Sequence, residues 1–391
     1  MKLDSEKLRT AIAGKHSAIR CITRLQPAGG TGASLFPPTY VVGEEGGKYA
    51  IEARQVGETK IEKAVLLDSV PSQANRIEEA LQRAIDEKRL ELPLIVVTLP
   101  PDQRVTSLEA PHRIADAIFR DSELGNQAFR DSDKGKSFVA ANVKDATALF
   151  ELCPTALIFG TWDSTGASGG LGNKFARALV SEVIGYHAQT FKKTAGRIDP
   201  LAITKMELHV KKDDPSIYEV PSQPGGEPPT GFAKGKPSEI NHGNVAPSLS
   251  EGGVTIAWAE QTSVLSLPAL RRLRFPVGKK LDTETENAAR TVLAALALVG
   301  LTLAREQGYD FRSRCQLIPE QEPEFELLGA TLKDVTKFTL TTEEAIGLFN
   351  DAVAAAKNHG LKWETKPLTL LPSARLKKLV EAARAARTAG E

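Results

Sequence analysis

The chain has 391 residues, a formal net charge of +1 at pH 7 and an apolar content of 41%. That length accommodates one large elaborated domain or two ordinary ones, with apolar residues enough for a real core. The near-zero charge excludes a global field that would draw the protein onto a polyanion, so polyanion binding has to come from local patches. Cys21, Cys153 and Cys315 lie far apart with no C-x-x-C, which argues against a disulfide framework or a zinc site and fits a reducing cytoplasm.

The chain opens MKLDSEKLRTAI, a charged amphipathic start rather than a signal peptide. Ser17 to Leu25 alternates apolar and basic positions, as a half-buried strand does. Ala18, Cys21 and Ile22 are available to its core side, while Arg20 and Arg24 share one face. Residues 27–38 form a Gly/Pro-rich loop. Tyr40–Val42 and Tyr49–Ala53 read as a hairpin about Glu44-Glu45-Gly46-Gly47, and Lys63–Leu67 as another strand. Ser72 to Arg89 is a helix, capped by Ser72, with Ile77, Leu81 and Ile85 at helical spacing. Leu94–Leu99 is a buried strand ended by Pro100-Pro101. Pro111–Ser122 is a helix with Ile114, Ile118 and Phe119 inward, and residues 138–150 contain a further one.

Ala156 to Phe159 reads as a short buried strand. It feeds a loop with glycines at 160, 166, 169, 170 and 172, and then a helix over residues 175–191 beside Lys174. Met206–Val210 is a strand. Asp213 to Gly253, rich in Pro, Gly, Ser and Lys, is a long mobile excursion, and Val254–Glu260 returns to strand character. Residues 279–307 are mostly helical. The apolar run Thr291–Ala304 is too short to span a bilayer and is flanked by Arg290 and Arg305, so it reads as a buried core helix. Phe325–Leu328 is a final strand. Thr341 and Glu344 form a capping box for a helix ending near Gly360, and the tail from Ser373 is helical and basic. This order predicts an α+β sandwich, a sheet with helices packed on it, with a doubly wound sheet as the competitor.

A glycine-rich loop feeding a helix presents backbone N–H groups and a positive dipole end to an anion. The loop departs from the named phosphate motifs. Asn173 follows Gly172 and Phe175 follows Lys174, which breaks a P-loop, and Phe175 stands where the last glycine of G-x-G-x-x-G belongs. Gly166-Ala167-Ser168-Gly169-Gly170 fits G-x-S-x-G, but Thr161 to Thr165 separate it from the strand that a nucleophile elbow must follow directly. Asp163 at the strand exit has two readings, a catalytic carboxylate or a loop aspartate bonding backbone N–H groups. The histidines are scattered, with no i, i+4 pair to hold a metal. Two more polar clusters stand out. Ser69, Ser72, Gln73, Asn75 and Arg76 gather at a helix start, where simple capping also accounts for them. His112, Arg113 and Arg120 lie on the polar side of a helix, where pairing with Asp116 and Asp121 is the simpler role. The three clusters repeat one theme: basic or amide side chains where a helix begins after a strand, as in a phosphate track.

Taken together, LLDSVPSQANRIEEAL, SLEAPHRIADAIFRDS and LIFGTWDSTGASGGLGNKFARALVSEVIGY resemble the backbone subunit of the type I-G (earlier I-U) CRISPR Cascade complex, of the RAMP superfamily. The resemblance runs from about Arg20 to about Cys315. The S-Q-A-N-R run at Ser72–Arg76 is similar to the S-S-Q-x-x-K-R pattern that meets the guide RNA backbone in such subunits. The resemblance implies a modified ferredoxin-like/RRM-like (RAMP) core with large insertions forming palm, fingers and thumb. Residues 1–391 would make a single elaborated domain, with a hairpin insertion at 39–60 as a possible finger. A Pro/Gly-rich insertion at 211–253 would be the candidate thumb, and 372–391 a basic C-terminal helix.

The implied function is non-catalytic: a subunit that polymerises along CRISPR RNA and presents the guide for pairing with target DNA. Its implied partners are that RNA, target DNA through the guide, copies of itself in a helical filament, the large subunit and the pre-crRNA-processing or handle-binding subunit. No cofactor, metal or membrane is implied. The candidate phosphate contacts are Arg20, Arg24, Ser72, Gln73, Arg76, Lys174 and Arg177, with backbone N–H groups from Gly166 to Gly172. Ser69, Asn75, His112, Arg113, Ser164, Thr165, Gly166, Ser168, Gly169 and Gly170 complete the RNA-binding set. Phe232, Lys234 and Lys236 are thumb candidates, with Ile217 and Tyr218 as further wedges. Two enzymatic alternatives stay open: a RAMP-type metal-dependent ribonuclease using Asp163 or a histidine, and a serine hydrolase using Ser168.

Overall fold

The computed structural model describes residues 2–39, 48–165, 174–195, 199–242, 248–278 and 280–390. Its centre is a nine-stranded antiparallel sheet. The strands are β1 (Ala18–Pro27), β2 (Ile51–Val56), β3 (Thr59–Asp68), β4 (Leu179–Tyr186), β5 (Trp258–Ser266), β6 (Tyr309–Asp310), β7 (Gln316–Pro319), β8 (Phe325–Leu328) and β9 (Val335–Phe338). The helices that matter here are α1 (Ser5–Ala13), α2 (Val70–Asp86), α3 (Thr155–Phe159), α4 (Thr283–Glu306), α5 (Thr342–Asn358) and α6 (Ala374–Gly390). The mixture is the expected α+β, with antiparallel sheets predominating.

Across the sheet the strands lie in the order β8–β1–β5–β4–β3–β2. β1 and β4 therefore run parallel with β5 between them, and α2 lies on the chain path from one to the other. β5 and β8 run parallel with β1 between them, joined through α4. Two split β-α-β units interlock. Both helices cover the same face. Ile19 and Cys21 of β1 share one buried cluster with Ile77 and Leu81 of α2 and most of α4. Ile22 is 46% exposed and stands with Arg20 and Arg24 on the open face, not in the core, because alternate residues line one side of a strand.

α4 is buried almost all round, from Thr285 to Leu303, as expected of a helix apolar on every side. It is long and apolar enough to cross a bilayer, yet 94% of its most apolar stretch is buried inside the protein. α1, α2 and α5 enclose it. At Gly300 the approach to α2 is so close that a Cβ would stand 2.5 Å from Ile77 Cγ2. α5 begins with the expected box, in which Glu344 N–H donates to Thr341 Oγ1 and Thr341 N–H donates to Glu344 Oε2. α2 is capped by Ser69, not Ser72: the Ser69 hydroxyl accepts from Ser72 N–H, and Pro71 sits in the first turn.

A second sheet assembles residues 95–99, 103–106, 122–124 and 127–128 with the returning strand 368–372. The helix expected over Pro111–Ser122 is broken into two turns, Arg113–Ala115 and Ala117–Arg120, because Asp116 is extended (φ −63°, ψ 144°) and caps the second. The first arm and the turn of the expected hairpin, within residues 40–47, lie outside the described residues. β2 pairs with β3 through a turn containing Gly57 (φ +61°). The described part of the excursion at 213–253 contains strands. Residues 189–195 and 248–255 form an antiparallel ribbon between β4 and β5, and 208–211, 214–219 and 232–235 form a three-stranded sheet beyond it. At the root of this insertion Tyr186 stacks on Trp258 at 5.4 Å, and His187 meets the same ring edge-on at 5.1 Å. All three cysteines are buried thiols, and burial pushes the Cys315 thiol up to about 12.

Candidate nucleic-acid interface

The site begins at α3, which sequence analysis reads as a strand. All of its residues are buried, and so short an apolar run carries no period to tell helix from strand. Gly160 ends it at φ +82°, where a Cβ would stand 2.9 Å from the Phe175 carbonyl oxygen, so only glycine fits. Thr161–Trp162 then pairs antiparallel with Lys174–Phe175.

The helix expected over residues 175–191 is absent. The chain enters β4 at Leu179, and side chains alternate between buried and outward positions over its first half. Val180, Val183, Ile184 and Tyr186 are β-branched or aromatic and suit a strand. Where the described chain resumes after the glycine-rich loop, at Lys174, it enters strands and not a helix. Gly166, Ser168, Gly169 and Gly170 lie outside the described residues.

What the fold builds instead is a cleft of about 400 Å³ between residues 111–113, 159–162 and 174–177. It brings together His112, Lys174 and Arg177 from segments some sixty residues apart. Lys174 and Arg177 are exposed, and neither makes an ion pair among the described residues. Trp162, on the wall, is 56% exposed.

Arg113 lies beneath this surface. It is buried, donating from Nε and Nη2 to the two Glu78 oxygens at 2.7 and 2.6 Å and from Nη1 to the Gly160 carbonyl at 3.0 Å. It ties α2 to the cleft floor, with three of its five N–H donors spent inside the fold. Burial pushes the Glu78 carboxyl up to about 7, against the opposing pull of Arg113.

Asp163 is 6% exposed. It accepts from Arg130 Nη2 at 2.8 Å and from Thr165 N and Oγ1, both at 3.1 Å. Arg130 Nη1 also donates to the Thr165 carbonyl. The carboxylate therefore holds the loop in place, and Ser164 and Thr165 stand exposed beside it. Among the described residues, no three His, Cys, Asp or Glu side chains gather as a metal site.

The S-Q-A-N-R run is divided by its own helix. Gln73 is buried: its Nε2 donates to Asp68 at 2.6 Å, and its oxygen accepts from Ser181 at 2.9 Å and Gln261 at 2.7 Å. Arg76 donates to Asp68 and to the carbonyls of Asp310 and Phe311. Those two side chains bind the fold together. Ser72 and Asn75 point outward on a stripe that continues to Glu78 at i, i+3 spacing. Since Glu78 holds Arg113, that stripe leads toward the cleft.

Arg20 pairs with Glu326 at 2.6 Å. Arg24 pairs with Glu320 at 3.4 Å and lies over the Trp258 ring. Both stand on the open sheet face, apart from the cleft. In the insertion, Lys234 donates to the Gly225 carbonyl at 3.4 Å, Phe232 is half-buried and Lys236 is exposed. Ile217 and Tyr218 are exposed on the far strand of that small sheet, across residues 208–211. Trp162 is the cleft residue that sequence reasoning missed. Its one signal was a large ring at the exit of an apolar run, beside polar residues.

Residues 19–190 match the model of a family described as CRISPR-associated protein GSU0053 (Cas_GSU0053). The match is to a CRISPR-associated family. It runs from the second residue of β1 to the strand after β4 and takes in every segment of the cleft. No curated protein matches the chain.

Proposed function

We propose that this chain is a non-catalytic, CRISPR RNA-binding backbone subunit of a type I-G Cascade complex, built on a RAMP-type core. The observation that carries the reading is the convergence of His112, Lys174 and Arg177 on one open cleft, within the segment that matches a CRISPR-associated family. Three further features support it. The order β8–β1–β5–β4 with α2 and α4 on one face is the order that a ferredoxin-like β-α-β-β-α-β unit would have. The insertion between β4 and β5 projects as a ribbon and sheet, as a thumb would. The nearest candidate acid, Asp163, is held by Arg130 and Thr165 in a structural role.

In this reading the cleft grips phosphates and leaves base edges free, since phosphate contacts position a strand without reading it. Near-neutral charge suits a protein whose copies assemble cooperatively on one strand. The test is size-exclusion chromatography with light scattering, on protein purified with and without nuclease. The expected result is a large species that carries RNA and collapses toward monomer once the RNA is digested. A nucleic-acid-free monomer that ignores added CRISPR RNA at moderate salt would overturn the reading.

A further inference from the structure

We infer that Trp162 is a stacking platform for one unpaired base, so that the cleft takes single-stranded nucleic acid and discriminates against duplex. The inference rests on the RNA-binding reading above and adds a contact to it that is independent of charge.

The chain has three tryptophans. Trp363 is 6% exposed and packs edge-on against Phe150 and Phe349. Trp258 is stacked on Tyr186 and covered by Arg24. Trp162 alone among them leaves more than half its surface in water and has no ring or cation contact among the described residues.

Its position is fixed from below. The Trp162–Lys174 pair, the glycine-only turn at Gly160 and the Arg113 bond to the Gly160 carbonyl hold its backbone in place. Directly opposite residues in an antiparallel pair send their side chains to the same side. The indole and the Lys174 side chain therefore leave the same side of the pair, with Arg177 lining the same cleft. An open ring sharing a cleft with two cations that make no ion pair among the described residues suits the repeating unit of a single strand, a base face with a phosphate on either side. In a duplex each base face is already covered by its neighbours, and the ring has nothing to stack on. Every base has such a face, so the contact tolerates any sequence.

The test is fluorescence titration of the full chain with four probes of equal length: oligo-U RNA, oligo-dT DNA, an abasic phosphodiester strand and an RNA duplex. Wild-type protein should bind oligo-U with quenched indole emission and bind the duplex and abasic strands more weakly. Equal binding of oligo-dT would assign the contact to the base, and weaker binding would add a sugar contact to it. Trp162→Ala should weaken oligo-U binding by roughly 5- to 150-fold while leaving abasic binding unchanged. Trp162→Phe should keep most of the affinity and lose most of the quench. Lys174→Ala should flatten the log–log salt slope by about 0.7, a slope that Trp162→Ala leaves alone. Unchanged oligo-U affinity in Trp162→Ala would overturn the platform while the RNA-binding reading stands. Failure of wild-type protein to bind any strand at low salt would take down both.

Discussion

Arg113 shows how far a single side chain can mislead a reading of sequence. In PHRIAD it looks like one more surface cation, but its guanidinium is paired with Glu78 in the interior, at 8% residue exposure. Nothing local announces this, because the partner lies on another element thirty-five positions earlier. Removing one member of a buried pair strands the other, at a cost of about 3–5 kcal/mol. Arg113→Ala should therefore lower stability by about that amount in urea denaturation. Arg113→Lys should recover little, because a point charge cannot replace a two-pronged donor. The loss should also depend on pH. A carboxyl whose folded pKa lies above its unfolded value loses stability as pH rises between the two. With Arg113 gone the folded value climbs further, so the fall that levels off near pH 7 in the wild type should continue above pH 7 in the variant. The same pH dependence in both proteins would show that removing Arg113 leaves the Glu78 titration where it was. Gln73 carries the same lesson. An amide read as a phosphate contact is the buried hub joining Asp68, Ser181 and Gln261.

At the scale of elements, legibility followed length and chemistry. α5 was readable because Thr341 and Glu344 spell out its cap, and α2 because Ile77, Leu81 and Ile85 repeat at helical spacing. β1 was readable as a strand from its alternating apolar and basic positions, although Ile22 stands on the open face and Ile19 in the core. α3 and β4 were read in reverse, one helix taken as strand and one strand as helix. α3 is too short to show a period, and β4 sits behind a glycine-rich loop of the kind that usually precedes a helix. The close crossing of α2 and α4 offers a direct test. Alanine is the better helix former by about 1 kcal/mol, so Gly300→Ala would stabilise α4 in isolation. In the fold the new methyl meets Ile77 Cγ2 at 2.5 Å, and overpacking of this kind costs about 1–3 kcal/mol. The variant should therefore be less stable than wild type in thermal unfolding. It should lose less when Ile77→Ala has already cleared the space, a coupling that a double-mutant cycle would measure. A Gly300→Ala protein as stable as wild type would mean that the helices move apart freely.

At the scale of the whole molecule, the insertion is separable from the sheet that carries it. Its ribbon runs antiparallel from Gln189 out to Ala195 and back from Ser248, and Ala195 faces Ser248 directly. Joining those two residues through Asn-Gly would close the ribbon with a two-residue turn suited to a hairpin. The shortened protein should unfold as cooperatively as the full chain, because the clusters containing Ala188, Val254 and Ile256 remain. If the insertion is the thumb that reaches a neighbouring copy, the RNA-dependent large species should disappear while binding of a short strand persists. Retention of the large species would assign assembly to another surface. None of this layout was visible in the Pro- and Gly-rich composition of residues 213–253, since short strands in a small sheet leave little periodic trace.

The enclosure of α4 has a consequence for how the chain is made. A helix that could satisfy a bilayer is a hazard whenever it stands uncovered, during synthesis or after partial unfolding. The order of elements along the chain eases this. α1 and α2 both precede α4, so two of the surfaces that shelter it already exist when it leaves the ribosome. α5 follows shortly after and closes the remaining side. Translation thus delivers the greasiest segment of the protein into a partly built berth, and a chain cut short before α5 would be the form that chaperones and proteases recognise.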